Sequence, residues 1–441
     1  MTALEQRTVA IVGAGLMGCS IATDLARRGA QVTVLERAPG PGLGSTSASS
    51  AIVRFHYSTE SGTALAYEGL HYWRNWADHI GFVPEDGLVK LVTTGMVGLI
   101  DQTGHAERCK PILDRLGIPN EWWDTEELRR RLPYLDAGEF WPPSRPEDAG
   151  FFDEPADELL GALYEPEAGY VNDPQLAARN LHDAAVAAGA QFRFGSTVVG
   201  VASSAEGDGT RQVGGLALAD GTEVLADIVI NAAGPHSSAI DRLAGLEGTT
   251  TITTRPMRQE VHVMPAPVSP EPGTVIPALG DGDSGFYFRP EGSEHLLVGS
   301  FEPDCDPLEW LEDADVFEES FGPQWEAQTL RVARRIPELG VPHDRRGVVG
   351  VYDASSDWLP IYDRTDLGGY YVAIGTSGNQ FKNGGPVGFL MAELIEAVES
   401  GHDHDADPIS VTGPYSGLTI DLGTFARNRS IGDGTSMSVR G

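Results

Sequence analysis

Lysine is almost missing from this chain of 441 residues: only Lys90, Lys110 and Lys382 occur, leaving 28 arginines among the 31 basic residues. Basic residues of either kind are outnumbered by 64 Asp and Glu, for a formal charge of −33. Such a charge argues against nucleic acid or an anionic membrane surface as a partner. Cysteine is equally scarce. Cys19, Cys109 and Cys305 are odd in number and far apart, which excludes a disulfide framework and gives no Cys-x-x-Cys or Cys/His spacing for a metal. A reducing compartment and no metal are expected. No apolar run reaches the roughly 18 residues of a membrane span. Eight residues precede the first apolar strand, too few for a signal peptide, so the expected location is the cytoplasm.

What is present is a 41% hydrophobic, 22% charged composition, typical of a soluble globular protein and long enough for two domains. Near the start, "TVAIVGAGLMGCSIATDLARRGAQVTVLER" reads as strand, glycine turn, helix and second strand. Val9 to Val12 is a continuous apolar run, as a buried parallel strand requires. Gly13, Gly15 and Gly18 form G-x-G-x-x-G between strand and helix, with Leu16 and Met17 opening the helix. The first glycine permits the tight turn, the second lets a pyrophosphate reach the backbone, and the third packs helix on strand. Phosphate charge then meets the helix N-terminus. Glu36 follows Gly18 by 18 residues, at the end of the second strand, where a carboxylate can take ribose hydroxyls. An adenine dinucleotide site is expected.

Later features choose between NAD and FAD. Glu36 runs into the Gly/Ser-rich "RAPGPGLGSTSASSAIVR", and "DIVINAAGPHS" is another apolar strand ending in small residues. A third loop, "GTSGNQFKNGGP", precedes an apolar helix and carries Lys382. Three separated segments converging on one ligand suit the long FAD better than an NAD site made by one half-domain. Elsewhere, Leu65, Tyr72, Trp73, Trp76 and Ile80 recur at helical spacing and read as core. "ADGTEV" reads as a hairpin turn at Asp220–Gly221. Residues 250–345 are β-rich.

In this order, "GAGLMG…VLER", "GSTSASSAIVR", "INAAGPHS", "GFYFRPEG…LLVGSFEPD", "VYDASSDWLPIYD" and "YVAIGTSGNQFKNGGPVGFLMAELI" resemble the FAD-dependent amine and amino-acid oxidoreductases of the D-amino-acid oxidase superfamily, which includes monomeric sarcosine oxidase, glycine oxidase and dimethylglycine dehydrogenase. The resemblance implies an α/β fold: a Rossmann-like FAD-binding domain with a parallel sheet, from residues 1–80, 168–245 and 346–430. A β-rich α+β substrate domain, 81–167 and 246–345, is inserted in it, and 431–441 is expected to be a loose tail.

By the same resemblance Gly13, Gly15, Leu16, Met17, Gly18 and Glu36 bind the ADP half of FAD, with Arg37, Ser45, Thr46, Ser47 and Ser49 near adenine or pyrophosphate. Val199 flanks the adenine, Ala233 and Gly234 approach the ribose or pyrophosphate, and Gly375, Gly378, Asn379, Gln380, Phe381 and Lys382 meet the flavin ring. Lys382 is then either a solvated loop lysine or, with Arg54, the cationic pair that holds a substrate carboxylate. His56 and Tyr57 are candidates to orient the amine or accept its proton, Tyr287 to close the cavity, and Arg289 to serve as a rim or domain-interface cation. The implied reaction is oxidation of an amino acid or N-substituted glycine by hydride transfer to flavin. Oxidation of a 2-hydroxy acid, or service as an FAD-bound subunit passing electrons to a partner, are the alternatives. Oxygen or an external acceptor takes the electrons.

The chain departs from the family at several positions. Gly350 and Ser47 stand where relatives carry a Cys or a His linked to flavin, which implies non-covalent FAD. Leu297 replaces an oxygen-activating Lys, Asn379 a loop His, and Ala51 a second Arg. These changes point away from sarcosine itself toward a larger substrate such as an N-substituted glycine or cyclic imino acid, and toward slow reaction with oxygen.

Overall fold

The computed structural model describes residues 4–205, 210–267, 275–431 and 437–441. Strand β1 (Thr8–Val12), helix α1 (Leu16–Arg27) and strand β2 (Gln31–Leu35) form the expected βαβ unit, with β1 and β2 parallel. They belong to a six-stranded sheet in the order Ile361–Arg364, Tyr370–Ile374, Ile228–Asn231, β1, β2, Gln191–Arg193. All its neighbours are parallel except at the Ile361–Arg364 edge. Strands from three distant parts of the chain thus share one sheet. Helices Pro174–Ala187 and Val387–Glu399 pack on α1 over one face. Ala10, Val12 and Val229 pack on the other against Val213, Leu216 and Ile240. Burial on both faces is why these strands are apolar throughout.

A second, mixed sheet of eight strands runs Gly347–Ser355, Thr254–Pro265, His295–Ser300, Phe286–Glu291, Ala278–Asp281, Met96–Leu99, Ala162–Glu165, Glu121–Trp123. Gly347–Ser355, expected with the cofactor-binding part, pairs along its whole length with Thr254–Pro265. It crosses from one part of the molecule to the other. Helix Pro323–Arg335 ends on this sheet with Arg335, whose buried guanidinium donates to Asp281 at 2.7 Å and Asp283 at 2.6 Å. Buried charges of this kind are tolerated only with hydrogen-bonded partners of opposite sign. Among the described residues no helix is long and apolar enough to cross a membrane.

Candidate active site

A cavity of about 490 Å³ lies between the two sheets, lined by both. Its floor is the turn from β1 into α1. Gly13 has φ +104°, and a Cβ there would lie 2.5 Å from the Ala232 carbonyl oxygen, so the close approach of the two strand ends requires glycine. A Cβ on Gly18 would lie 2.0 Å from the Gly13 oxygen, so Gly18 packs the helix on the turn and does not itself line the cavity. Leu16 and Met17, at the N-terminus of α1, do line it, and the first-turn N–H groups of a helix lack intrahelical acceptors. The Leu16 N–H donates to the Thr46 hydroxyl at 3.1 Å.

Glu36 sits at the end of β2 with each carboxylate oxygen already oriented. One accepts from the Ala14 N–H and the other from the Ala38 N–H, both at 2.8 Å. Further lone pairs remain for hydroxyl donors. Arg37, beside it, forms a two-pronged pair with Asp315 at 2.5 Å on each prong, and His236 Nε2 meets the same carboxylate at 3.0 Å. Arg37, His236 and Asp315 all line the cavity. The pairing with Arg37 holds the Asp315 carboxyl down at about 2.

The opposite end is built around "GTSGNQFKNGGP". Gly378 has φ +71°, and a Cβ there would lie 2.2 Å from the Tyr352 ring. Asp353 fixes this loop from the neighbouring strand by accepting from the Gly375 N–H at 2.6 Å, and burial lifts its carboxyl to about 7. From behind, Trp73 Nε1 donates to the Lys382 carbonyl at 2.8 Å while its ring stacks on Phe381, 5.6 Å between centroids. The helix of aromatics read as core therefore also sets the height of the lysine loop. The Lys382 ammonium, 2% exposed as a residue, donates to the Tyr57 hydroxyl and to the Asn379 carbonyl. Burial, then the nearby Arg54, pushes its pKa well below that of a free lysine.

Arg54 also lines the cavity, and its guanidinium donates to the carbonyls of His56 at 2.8 Å, Val439 at 3.2 Å and Arg440 at 2.7 Å. Among the described residues, neither Arg54 nor Lys382 is paired with a carboxylate, although both are buried. A solvated loop lysine is excluded.

A family model described as FAD dependent oxidoreductase matches residues 8–394. The chain belongs to this family. Its curated relatives include a glycine oxidase from Geobacillus kaustophilus, 26% identical over 92% of this chain and 96% of the relative. Sarcosine oxidase subunit beta from Arthrobacter sp. is 24% identical over 94% of this chain and 92% of that one. Among solved structures, L-proline dehydrogenase from P. horikoshii superposes with a TM-score of 0.69 at 22% identity, covering 89% and 93% of the two chains. It shows the same fold.

FAD is the cofactor of the family, and the residues present fit it. In one cavity a glycine-lined helix N-terminus suits pyrophosphate, an oriented strand-end carboxylate suits ribose, and a glycine loop carries a cation. Of the expected site residues, Gly13, Gly15, Leu16, Met17, Glu36, Arg37, Ser45, Thr46, Ser47, Ser49, Ala233, Gly234, Tyr287, Gly378, Asn379, Gln380 and Phe381 line the oxidoreductase's cavity, with Arg54 and Lys382.

Others do not. Val199 is 49% exposed on its strand and outside the lining. Gly375 stands behind the loop, at φ +68°, held by Asp353. The His56 ring is turned away to Glu165, Nδ1 to Oε2 2.7 Å, and burial lowers its pKa, so only its carbonyl reaches Arg54. The Tyr57 ring is also outside the lining and acts through its hydroxyl on Lys382. Leu297 lies opposite Arg289 in its sheet and outside the cavity; of the two places expected for Arg289 the rim is not the one it takes, since it is 2% exposed and donates to the Ser50 carbonyl at 2.6 Å.

The expected loose tail, 431–441, is described only in part. Residues 432–436 lie outside the described residues, but Val439 is buried and hydrogen-bonded to the site. Sequence reading also missed Gln259, Tyr352, Asp353 and Asp315 in the lining. Tyr352 and Asp353 stood in a quoted stretch without a role, and nothing local marked the other two.

Proposed function

We propose that the oxidoreductase removes two electrons from an amine carrying a carboxylate, an amino acid or N-substituted glycine. The observation that carries this reading is the pair Arg54 and Lys382: two buried cations at the flavin-loop end of the cavity, with neutral partners only. A buried charge left without a counter-charge is costly, and a ligand carboxylate supplies one to both. Glycine and sarcosine, named in two of the relatives, are carboxylate-bearing amines.

FAD, when bound, supplies the hydride acceptor. The chain's part is positioning and electrostatics. Arg54 offers a planar fork to the carboxylate, and Lys382 a point charge fixed by Tyr57 and Asn379. With the acid group held, the adjacent C–H bond has one orientation in a cavity that Tyr287 and Tyr352 narrow from the second sheet. The substrate loses a hydride from that carbon and a proton from nitrogen, and the imine takes up water to release the amine and an oxo acid. With the His56 ring turned to Glu165, the amine enters unprotonated and its proton leaves to solvent.

Anaerobic titration of the holoenzyme with glycine, sarcosine, proline and 2-hydroxyglutarate, followed by flavin absorbance, tests the reading. Bleaching by at least one amine and not by the hydroxy acid is expected. Bleaching by the hydroxy acid alone would replace the amine, and bleaching by none of a broad amine panel would leave no support for this chemistry.

A further inference from the structure

The Arg54 guanidinium is occupied by the chain itself. Two of its three acceptors are the carbonyls of Val439 and Arg440, and the Asn379 side chain donates to the Val439 carbonyl at 2.9 Å. Residues 438–441 therefore place backbone oxygens where the proposed function puts carboxylate oxygens.

The Val439 side chain enters a small apolar cluster with Met257, Ala354 and Trp358, separate from the main cores. Arg440 reaches out to Asp101 at 2.7 Å and to the Thr103 hydroxyl at 3.1 Å. Gly441, at φ +82°, lies so close to the Tyr57 ring that a Cβ there would be 2.2 Å from it. Its carbonyl accepts from the Ser58 N–H at 3.3 Å. The segment thus touches Arg54, Asn379 and Tyr57, the residues around the Lys382 ammonium.

We propose that residues 438–441 are an intramolecular competitor for the carboxylate site: the Val439 and Arg440 carbonyls hold Arg54 until a substrate carboxylate displaces them. This rests on the reading of Arg54 and Lys382 as carboxylate holders. A carboxylate makes charge-assisted hydrogen bonds to guanidinium, stronger than those of a neutral carbonyl, so displacement runs toward substrate. The segment raises the apparent Kd by the inverse of the fraction of molecules in which it is unseated. The Arg440–Asp101 pair, outside the cavity, sets that fraction.

The test uses the full-length holoenzyme and acetate as probe, with binding read from the flavin spectrum. Arg440→Ala removes one anchor, and Val439→Ser makes the apolar seat unfavourable without adding a charge. Each should tighten acetate binding roughly 5-fold or more, as freeing a mostly seated segment requires. Arg440→Lys, which keeps the ion pair, should bind as the parent does. Hydrogen exchange at the amides of Val439 to Gly441 should quicken when acetate saturates. Unchanged or weaker acetate binding in Arg440→Ala, with exchange unaffected by acetate, makes the segment a fixed wall and overturns the proposal. A separate arm isolates the underlying reading: if Arg54→Gln leaves acetate affinity unaltered in both the parent and the Arg440→Ala background, Arg54 is no carboxylate holder at all.

Discussion

The Arg54 guanidinium lies 4.5 Å from the centre of the Tyr57 ring, and the Lys382 ammonium lies 4.9 Å from the same ring. The face of an aromatic ring attracts cations, so one tyrosine steadies two like charges brought together from residues 328 positions apart in the chain. Glu165 adds a longer-range attraction for Lys382 while spending its hydrogen bonds on Phe55 and His56. The result is a cationic end to the cavity whose own counter-charge is incomplete.

Replacing Arg54 by Gln should raise the KM for a carboxylate-bearing amine by the equivalent of roughly 2 kcal/mol or more, toward the lower end of the range for a buried charged pair because Lys382 shares the load. Steady-state kinetics with the substrate found by flavin bleaching measures it. An unchanged KM takes Arg54 out of the site.

Lys382 carries a pH prediction. Burial, and next the Arg54 charge, depress its pKa, so the ammonium is lost at lower pH than in a free lysine. Because the cation is the form that holds carboxylate, kcat/KM should fall as pH rises through that depressed pKa. Lys382→Met should lower kcat/KM at neutral pH and abolish the alkaline limb while FAD stays bound. A limb of the same shape in the variant assigns it to another group.

Glu36→Gln should weaken FAD by about 1–3 kcal/mol, the cost of hydrogen bonds to a charged acceptor. Dilution of the holoenzyme followed by flavin fluorescence reports the change. Among the described residues the cavity lining contains no cysteine and a single histidine, His236, already engaged by Asp315. Guanidinium should accordingly release the flavin of parent and variant in full; colour that stays with the denatured chain would show a covalent bond.

Asp353 offers a test on stability. Its carboxyl is raised by burial from 3.8 to about 7, so the folded state binds its proton more tightly than the unfolded chain does. The stability this gives is complete below about pH 4 and is lost as pH rises through about 7. Asp353→Asn keeps an acceptor for the Gly375 N–H and removes the titration. The difference in Tm between variant and parent should therefore grow in the variant's favour from pH 4 to 8. A constant difference means that Asp353 is ionised throughout.

Much of the cofactor half was legible in the sequence because its signals are local. A strand, three glycines at fixed spacing, a helix and a strand-end acid lie within thirty residues, and each demands a particular backbone conformation or charge there. The lysine loop was legible for the same reason, since its glycines permit positive φ beside a helix start. What the loop packs on was not: Trp73 and Tyr352 carry no mark of their distant partners.

By itself the sequence determined the dinucleotide turn, the excess of acidic residues, the scarcity of cysteine and the presence of a lone lysine among glycines, all properties of composition or of neighbouring residues. Only the tertiary structure decided that Lys382 and Arg54 face one chamber, that the His56 ring turns to Glu165, and that residues 438–441 sit on Arg54. Side-chain direction and long-range contact depend on which elements pack together, and packing is set by the whole core rather than by any stretch of the chain.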